Sequence, residues 1–143
     1  DGWKIHAGLP QNLKQAYVVK NLQDWTVRVR IANQQKSWLT LKKPTQGIGS
    51  HEFEFEIPLI EAQSLFELLE YKVIKTRYEL NLGNYSWVVD CFQGNNAPLV
   101  LAEVEIPSED CWIKKPMWCG KEITGQTQWS NAALSQYPFS SWS

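Results

Sequence analysis

Trp25-Thr26-Val27-Arg28-Val29-Arg30-Ile31 alternates without a break, with apolar side chains at 25, 27, 29 and 31 and polar or ionised ones between them. Successive side chains of a β-strand point to opposite faces, so this stretch reads as a strand with one apolar and one cationic face. Asn33-Gln34-Gln35-Lys36 is a polar hairpin loop, and Trp38–Lys42 returns as its partner with Lys42 at its end. The same signature recurs along the chain. Glu52-Phe53-Glu54-Phe55-Glu56, Lys75-Thr76-Arg77, Trp87-Val88-Val89-Asp90 and Glu103-Val104-Glu105 all place ionised residues on one face and apolar residues on the other.

Between these segments the breakers are regular. Asp1–Asn12 reads as irregular, with Gly2, Gly8 and Pro10; Leu13–Val19 reads as a strand and Asn21–Asp24 as a turn. Pro44–Ser50 is a loop and His51–Ile57 a strand. Pro58 then sits where a first helical turn tolerates it, and Ala62, Leu65, Phe66 and Leu69 recur at helical spacing, predicting one amphipathic helix over Leu59–Glu70. Lys72–Leu80 and Ser86–Phe92 are strands joined at Gly83-Asn84; Gly94–Pro98 is a loop, and Leu99–Ile106 is a strand ended by Pro107. Ser108–Glu122 is irregular, Asn131–Tyr137 a short helix, and Pro138–Ser143 a frayed tail. Seven to eight strands in consecutive hairpins with one clear helix predict a single mainly-β domain over residues 1–143, an antiparallel sheet closed into a barrel.

A length of 143 residues suits one domain with a real core. The net charge of −1 argues against a generally basic nucleic-acid binder, and no run approaches the length of a membrane-spanning helix. Cys91, Cys111 and Cys119 lack C-x-x-C spacing and have only His6 and His51 to join them, which argues against zinc and for a reducing, cytoplasmic setting. Monomer and homodimer are both left open.

For any single pair of ionised residues, the plain reading is a wet strand face, where cross-strand pairs contribute about 0.2–1 kcal/mol each. The set as a whole resists that reading. Arg stands with Arg, Lys with Arg and Glu with Glu on one face, and close like charges destabilise unless something of opposite sign lies between them. The pattern therefore predicts a lumen whose cations, Arg28, Arg30, Lys42, Lys75 and Arg77, meet an anion. Its acids, Glu52, Glu54, Glu56, Asp90, Glu103 and Glu105, would meet a metal. Arg offers forked donors to phosphate oxygens, and carboxylates are the usual ligands of Mg²⁺ or Mn²⁺. That points to a metal-dependent enzyme acting on a polyanion. Gln15 stands at even odds of joining the lumen, His51 is read as structural, Lys4, Lys14, Lys20 and the Lys114-Lys115 pair as solvated, and Trp118 and Trp129 as packing anchors.

The ordered set Val27-Arg28-Val29-Arg30, Leu39-Thr40-Leu41-Lys42, Glu52-Phe53-Glu54 with Ile57-Pro58 and a helix, Lys75-Thr76-Arg77-Tyr78, Asp90-Cys91-Phe92, Leu101-Ala102-Glu103-Val104-Glu105 and Pro116–Thr124 with Asn131 after it resembles the CYTH superfamily of triphosphate tunnel metalloenzymes. The resemblance runs from Leu13 to about Leu134. It implies an eight-stranded antiparallel β-barrel forming a tunnel, with a few flanking helices, and Mg²⁺- or Mn²⁺-dependent chemistry on a triphosphate. By the same resemblance, Arg28, Arg30, Lys42, Lys75 and Arg77 hold the triphosphate, and Glu52, Glu54, Glu103 and Glu105 serve the metal. Glu54, Lys75 and Glu105 carry catalysis, Asp90 is a lumen acid of open role, and Glu56 ranks below the core E-x-E.

Three departures stand out. The family opens with an E-x-E-x-K strand, no such segment precedes Leu13, and Asp1-Gly2-Trp3-Lys4 looks like the stretch that follows it. Either the sequence is a fragment or the protein lacks that strand, and without it the expectation is a barrel with an open edge and an incomplete metal site. Gln128-Trp129-Ser130-Asn131 stands where the family often has R-Y-x-N, and Ser50-His51 where it often has Arg, so a weaker grip on phosphate is expected. Hydrolysis of inorganic triphosphate is the leading expectation. The alternatives are an adenylate cyclase making cyclic AMP from ATP, for which no adenine pocket can be identified, and a non-catalytic triphosphate- or polyphosphate-binding module.

Overall fold

The computed structural model describes residues 2–47, 49–83, 85–108 and 110–142, with the side chains of Lys20, Asn21 and Leu22 also outside the description. Seven strands form one antiparallel sheet: β1 (Gln11–Leu22), β2 (Trp25–Ala32), β3 (Lys36–Pro44), β4 (Ser50–Glu56), β5 (Tyr71–Leu80), β6 (Trp87–Phe92) and β7 (Val100–Val104). Their spatial order is β4-β3-β2-β1-β5-β6-β7, so among the described residues β4 and β7 are the sheet's two ends. The sheet is wound so that side chains from β2, β3, β4, β5 and β7 line one concavity of about 2000 Å³. Seven strands stand where the resemblance implies eight with the first in question. Among the described residues no helix is long and apolar enough to cross a membrane.

The alternation read from the sequence sets which face each residue takes. On the convex side Val29 and Ile31 are buried under helix α1 (Leu59–Leu68) with Ala62, and Leu39, Ile57, Phe66 and Leu69 complete that layer. Predicted helix residue Leu65 is 36% exposed and stands at the margin of the layer. Helix α1 ends two residues before Glu70 because Leu69 turns extended, its N–H still bonded to Leu65. The β1–β2 turn places Gln23 and Asp24 at positive φ, which suits the twist of a tight hairpin. A bulge at Val18 lets Tyr17 and Val19 face opposite sides while both strands stay paired.

Two segments differ from the sequence reading. Gly2–His6 is a 3-10 helix rather than irregular chain, and β1 starts at Gln11. Trp3 is the reason: it is buried with Leu80 and Val89, its ring centroid 5.3 Å from that of Tyr78. Backbone bonds from Gly8 to Glu79 and from Asn81 to His6 fasten the segment to β5. At the other end, Pro138–Trp142 is not frayed, and Ser143 lies outside the described residues. Phe139–Ser141 forms a 3-10 turn, and Phe139 and Trp142 stack with Trp129 at centroid distances of 6.2 and 4.7 Å. Contacts between residues distant in sequence hold both ends, which local breakers cannot reveal. The Gly83-Asn84 turn falls in part outside the described residues, as does the side chain of Lys20.

Helix α2 (Asn131–Gln136) is capped by Ser130, whose hydroxyl accepts the Ala133 N–H at 3.1 Å. Leu134, fully buried, packs with Val73, Phe92 and Leu99 on the concave side of β5 and β6. The inner face is therefore divided. Part of it is an apolar floor closed by α2 and the aromatic tail, and part is ionised. Trp118 meets Trp87 at 5.8 Å and packs with it against the cluster of Trp3, Leu80 and Val89.

Candidate active site: a cationic wall on the concave face

Register places the ionised residues in rows across the sheet. Tyr17, Arg28, Thr40 and Glu54 are successive partners across β1–β4, as are Gln15, Arg30, Trp38 and Glu56, and then Thr26, Lys42 and Glu52. Across β5–β7 the rows are Lys75–Phe92, Arg77–Asp90–Leu101 and Val88–Glu103. Glu105 lies just past β7, and its N–H continues the ladder to Ser86 at 3.1 Å. Arg28, Arg30, Lys42, Arg77, Glu52, Glu103 and Glu105 all line the concavity. His51 pairs with Lys43 on the opposite face to Glu52, away from the site.

Asp90 is the electrostatic hub. It is 2% exposed and accepts from Arg77 Nε at 2.8 Å and Arg77 Nη2 at 3.0 Å, a forked pair, and from Lys75 Nζ at 2.7 Å. Burial pushes its carboxyl up, but the bonds and charges of Arg77 and Lys75 outweigh that and hold it below the usual carboxylate range. The Arg77 guanidinium is pushed up by its bond to Asp90.

Lys75 is fully enclosed. Its ammonium donates to Asp90 and, at 3.1 Å, to Asn131 Oδ1, and lies 5.6 Å from the centre of the Phe92 ring. Burial lowers its pKa to about 8 against the pull of Asp90, with Arg77 and Arg30 adding repulsion. Lys75 thus acts from beneath the surface of the wall.

Arg30 is held by a neutral partner, its Nε donating to Gln15 Oε1 at 2.9 Å. Burial, then the nearby charges of Arg28 and Arg77, lower its pKa to about 10. Arg28 stands beside Tyr17, and its Nε is buried without an acceptor among the described residues. Burial raises the Tyr17 phenol, and Arg28 offsets part of that rise. Guanidinium groups packed closely enough to repel one another, with a buried donor left unpaired, form a site preorganised for an anion.

The carboxylates are distributed differently. Glu52, Glu54 and Glu56 are exposed on β4, and Glu54 Oε2 accepts from Thr40 at 3.0 Å. Glu103 and Glu105 belong to the other end of the sheet. Among the described residues no three of His, Cys, Asp or Glu gather closely enough to form a metal cage. The donor chemistry nevertheless fits Mg²⁺ or Mn²⁺ in the usual manner, with one or two carboxylates and the remaining positions left to water and phosphate oxygens. Glu52 and Glu54, two apart on one face and beside Lys42 and Thr40, make such a pair.

Gln15 and Asn131 are the polar residues whose place the sequence announces least. Alternation left Gln15 balanced between faces, and Asn131 had only its position after the Pro116–Thr124 motif to mark it. Both are neutral amides, and each holds a cation of the wall, Gln15 the half-buried Arg30 and Asn131 the buried Lys75.

The CYTH domain family model matches residues 1–131. The chain is 40% identical over 128 residues to an inorganic triphosphatase of Acetivibrio thermocellus, covering 88% of this chain and 81% of that protein. It is 30% identical over 127 residues to an inorganic triphosphatase of Nitrosomonas europaea, covering 86% and 83%. The crystal structure of the inorganic triphosphatase NE1496 superposes with a TM-score of 0.68 at 31% identity, over 89% of this chain and 86% of that one. The PH1012 protein of Pyrococcus horikoshii shares the fold at a TM-score of 0.55 and 23% identity.

Proposed function

Since this chain belongs to the CYTH family, we propose that it hydrolyses a triphosphate, inorganic triphosphate first among the candidates, on the charged concave face of its sheet. The observation that carries this reading is the wall itself. Arg28, Arg30 and Arg77 are close enough to repel one another, Lys75 is buried behind them, and among the described residues Asp90 is the one carboxylate bonded into that set. A chain of phosphates supplies the missing negative charge.

In this reading Arg28 and Arg30 fork onto phosphate oxygens and Lys42 adds a point charge at the β3 end. Arg77, fixed by Asp90, presents its remaining donors at a set angle. Lys75 adds positive charge from below and fixes Asp90. Water attacks the terminal phosphorus in line, the bridging P–O bond breaks, and phosphate and pyrophosphate leave. Glu54 orients that water and takes up its proton, and Glu105 offers the same chemistry from the other end strand. Glu52 and Glu54, and at the other end Glu103 and Glu105, would hold Mg²⁺ or Mn²⁺. Such an ion would supply Lewis-acid charge, offsetting the negative charge that develops on the phosphoryl group during transfer. Glu56 faces the same side one row further out and is left to solvent. The three free thiols support a reducing, cytoplasmic setting.

The separation of the two carboxylate pairs favours a second reading, a module that binds triphosphate without turning it over. Phosphate release from inorganic triphosphate, ATP and thiamine triphosphate, each with Mg²⁺ and with Mn²⁺, tests both. Turnover with inorganic triphosphate preferred supports the first, and tight binding without release supports the second. Cyclic AMP made from ATP would instead favour a cyclase.

A further inference from the structure

Gln15 is fully buried on β1, directly opposite Arg30 in the β1–β2 register. Its Oε1 accepts the Arg30 Nε–H at 2.9 Å, while its Nε2 has no acceptor among the described residues. An unpaired buried donor destabilises the fold. A glutamate at this position would remove that donor and gain a charge-assisted bond to the same guanidinium. A carboxylate would thus leave no donor orphaned, with its bond to Arg30 set against the cost of burying a second charge, and the chain carries the amide.

The companion cation shows the contrast. Arg77 is held by the Asp90 carboxylate through two bonds, so much of its charge is spent inside the protein. Arg30 is aimed by a neutral group and keeps its charge for whatever enters the concavity, although burial and the nearby Arg28 and Arg77 oppose that charge. We propose that Gln15 is a positioning residue of the anion site, fixing the Arg30 guanidinium through its carbonyl oxygen while leaving the wall's positive charge uncompensated. The fully buried side chain does not itself reach the substrate. Its role is orientation without neutralisation, and that sets how strongly the wall attracts a highly charged phosphate chain. The inference rests on the reading of the concavity as a triphosphate site.

Two variants separate charge from orientation. Gln15→Glu keeps the acceptor and adds a negative charge. Gln15→Leu keeps the charge balance and removes the acceptor. Steady-state hydrolysis of inorganic triphosphate with Mg²⁺, with parallel titrations of that anion without metal, supplies the readout. Gln15→Glu is expected to melt no lower than wild type, yet to raise KM and weaken metal-free binding on the order of tenfold, the factor that about 1.4 kcal/mol produces. Its loss of affinity should exceed that of Gln15→Leu. Unchanged KM and binding in Gln15→Glu, with wild-type turnover intact, would overturn the positioning role and leave the functional reading standing.

Wild type that neither binds nor turns over triphosphate would sink the functional reading instead. The positioning claim is then decided by nuclear magnetic resonance of the Arg30 Nε–H. Its exchange with water should be slow in wild type and Gln15→Glu and fast in Gln15→Leu. Equally slow exchange in Gln15→Leu would overturn the claim.

Discussion

The Lys75 ammonium meets Asp90 Oδ2 at 2.7 Å with the two side chains 0% and 3% exposed, so the wall's deepest cation is anchored by a carboxylate that Arg77 shares. Three charges in a nearly dry space make each member dependent on the others. Removing one partner of such a buried set leaves an uncompensated charge, which costs more than the bonds themselves supply.

Asp90→Asn keeps the shape and removes the charge. It should lower the unfolding free energy by roughly 3–5 kcal/mol, the usual cost of breaking a buried pair from one side. Urea denaturation measures it. A loss under about 1 kcal/mol, the scale of a solvated surface pair, would show that water enters the site freely.

With its pKa near 8, Lys75 should lose its charge well below the ordinary lysine range. The value of kcat/KM, which reports the free enzyme, should fall as pH rises through about 8. Lys75→Arg should carry that limb to higher pH, because guanidinium stays protonated. The same inflection in both proteins would assign it to another group.

Stability carries the opposite sign. The folded pKa of about 8 lies below the ordinary lysine value of 10.5, so the unfolded chain binds more protons between them. The contribution of Lys75 is therefore fully present above 10.5 and lost as pH falls through about 8. Relative to Lys75→Met, wild type should gain roughly 3 kcal/mol of unfolding free energy across that window. A flat difference would mean that the ammonium is solvated.

The aromatic tail is a stability element. Trp142→Ala removes a ring 4.7 Å from Trp129 and 5.2 Å from Phe139. A loss of about 2–3 kcal/mol is expected, below the full cost of a core Trp because the residue is only partly buried. Turnover should fall with it, since the same packing seats α2 and with it Asn131 on Lys75. Calorimetry and phosphate release on one preparation test both effects.

Most of the sheet can be read from Trp25–Ile31 and its counterparts because period-two alternation is a local rule, and a slip of one residue would reverse every face. The inward cations and glutamates follow from that rule alone. The ends do not. Trp3 and Trp142 are held by residues far away in the sequence, and Gly and Pro nearby give the opposite signal. Lys75 reads as one more lumen cation, because strand alternation fixes a face but says nothing of depth. Gln15 and Asn131 carry no charge, so only the structure shows that each of them holds a cation of the wall. The placement of β4 and β7 at opposite ends, which separates Glu52 and Glu54 from Glu103 and Glu105, depends on strand order that no single segment encodes.

Everything proposed for the site depends on the cationic wall holding a triphosphate for metal-assisted hydrolysis. Phosphate release from inorganic triphosphate by wild type and by Glu54→Gln, with Mg²⁺, with Mn²⁺ and with chelator, tests it most directly. The account predicts turnover by wild type that disappears with chelator and falls at least about a hundredfold in Glu54→Gln, the lower end of a general base's contribution. Equal release by both proteins, or release that chelator leaves unchanged, would contradict it.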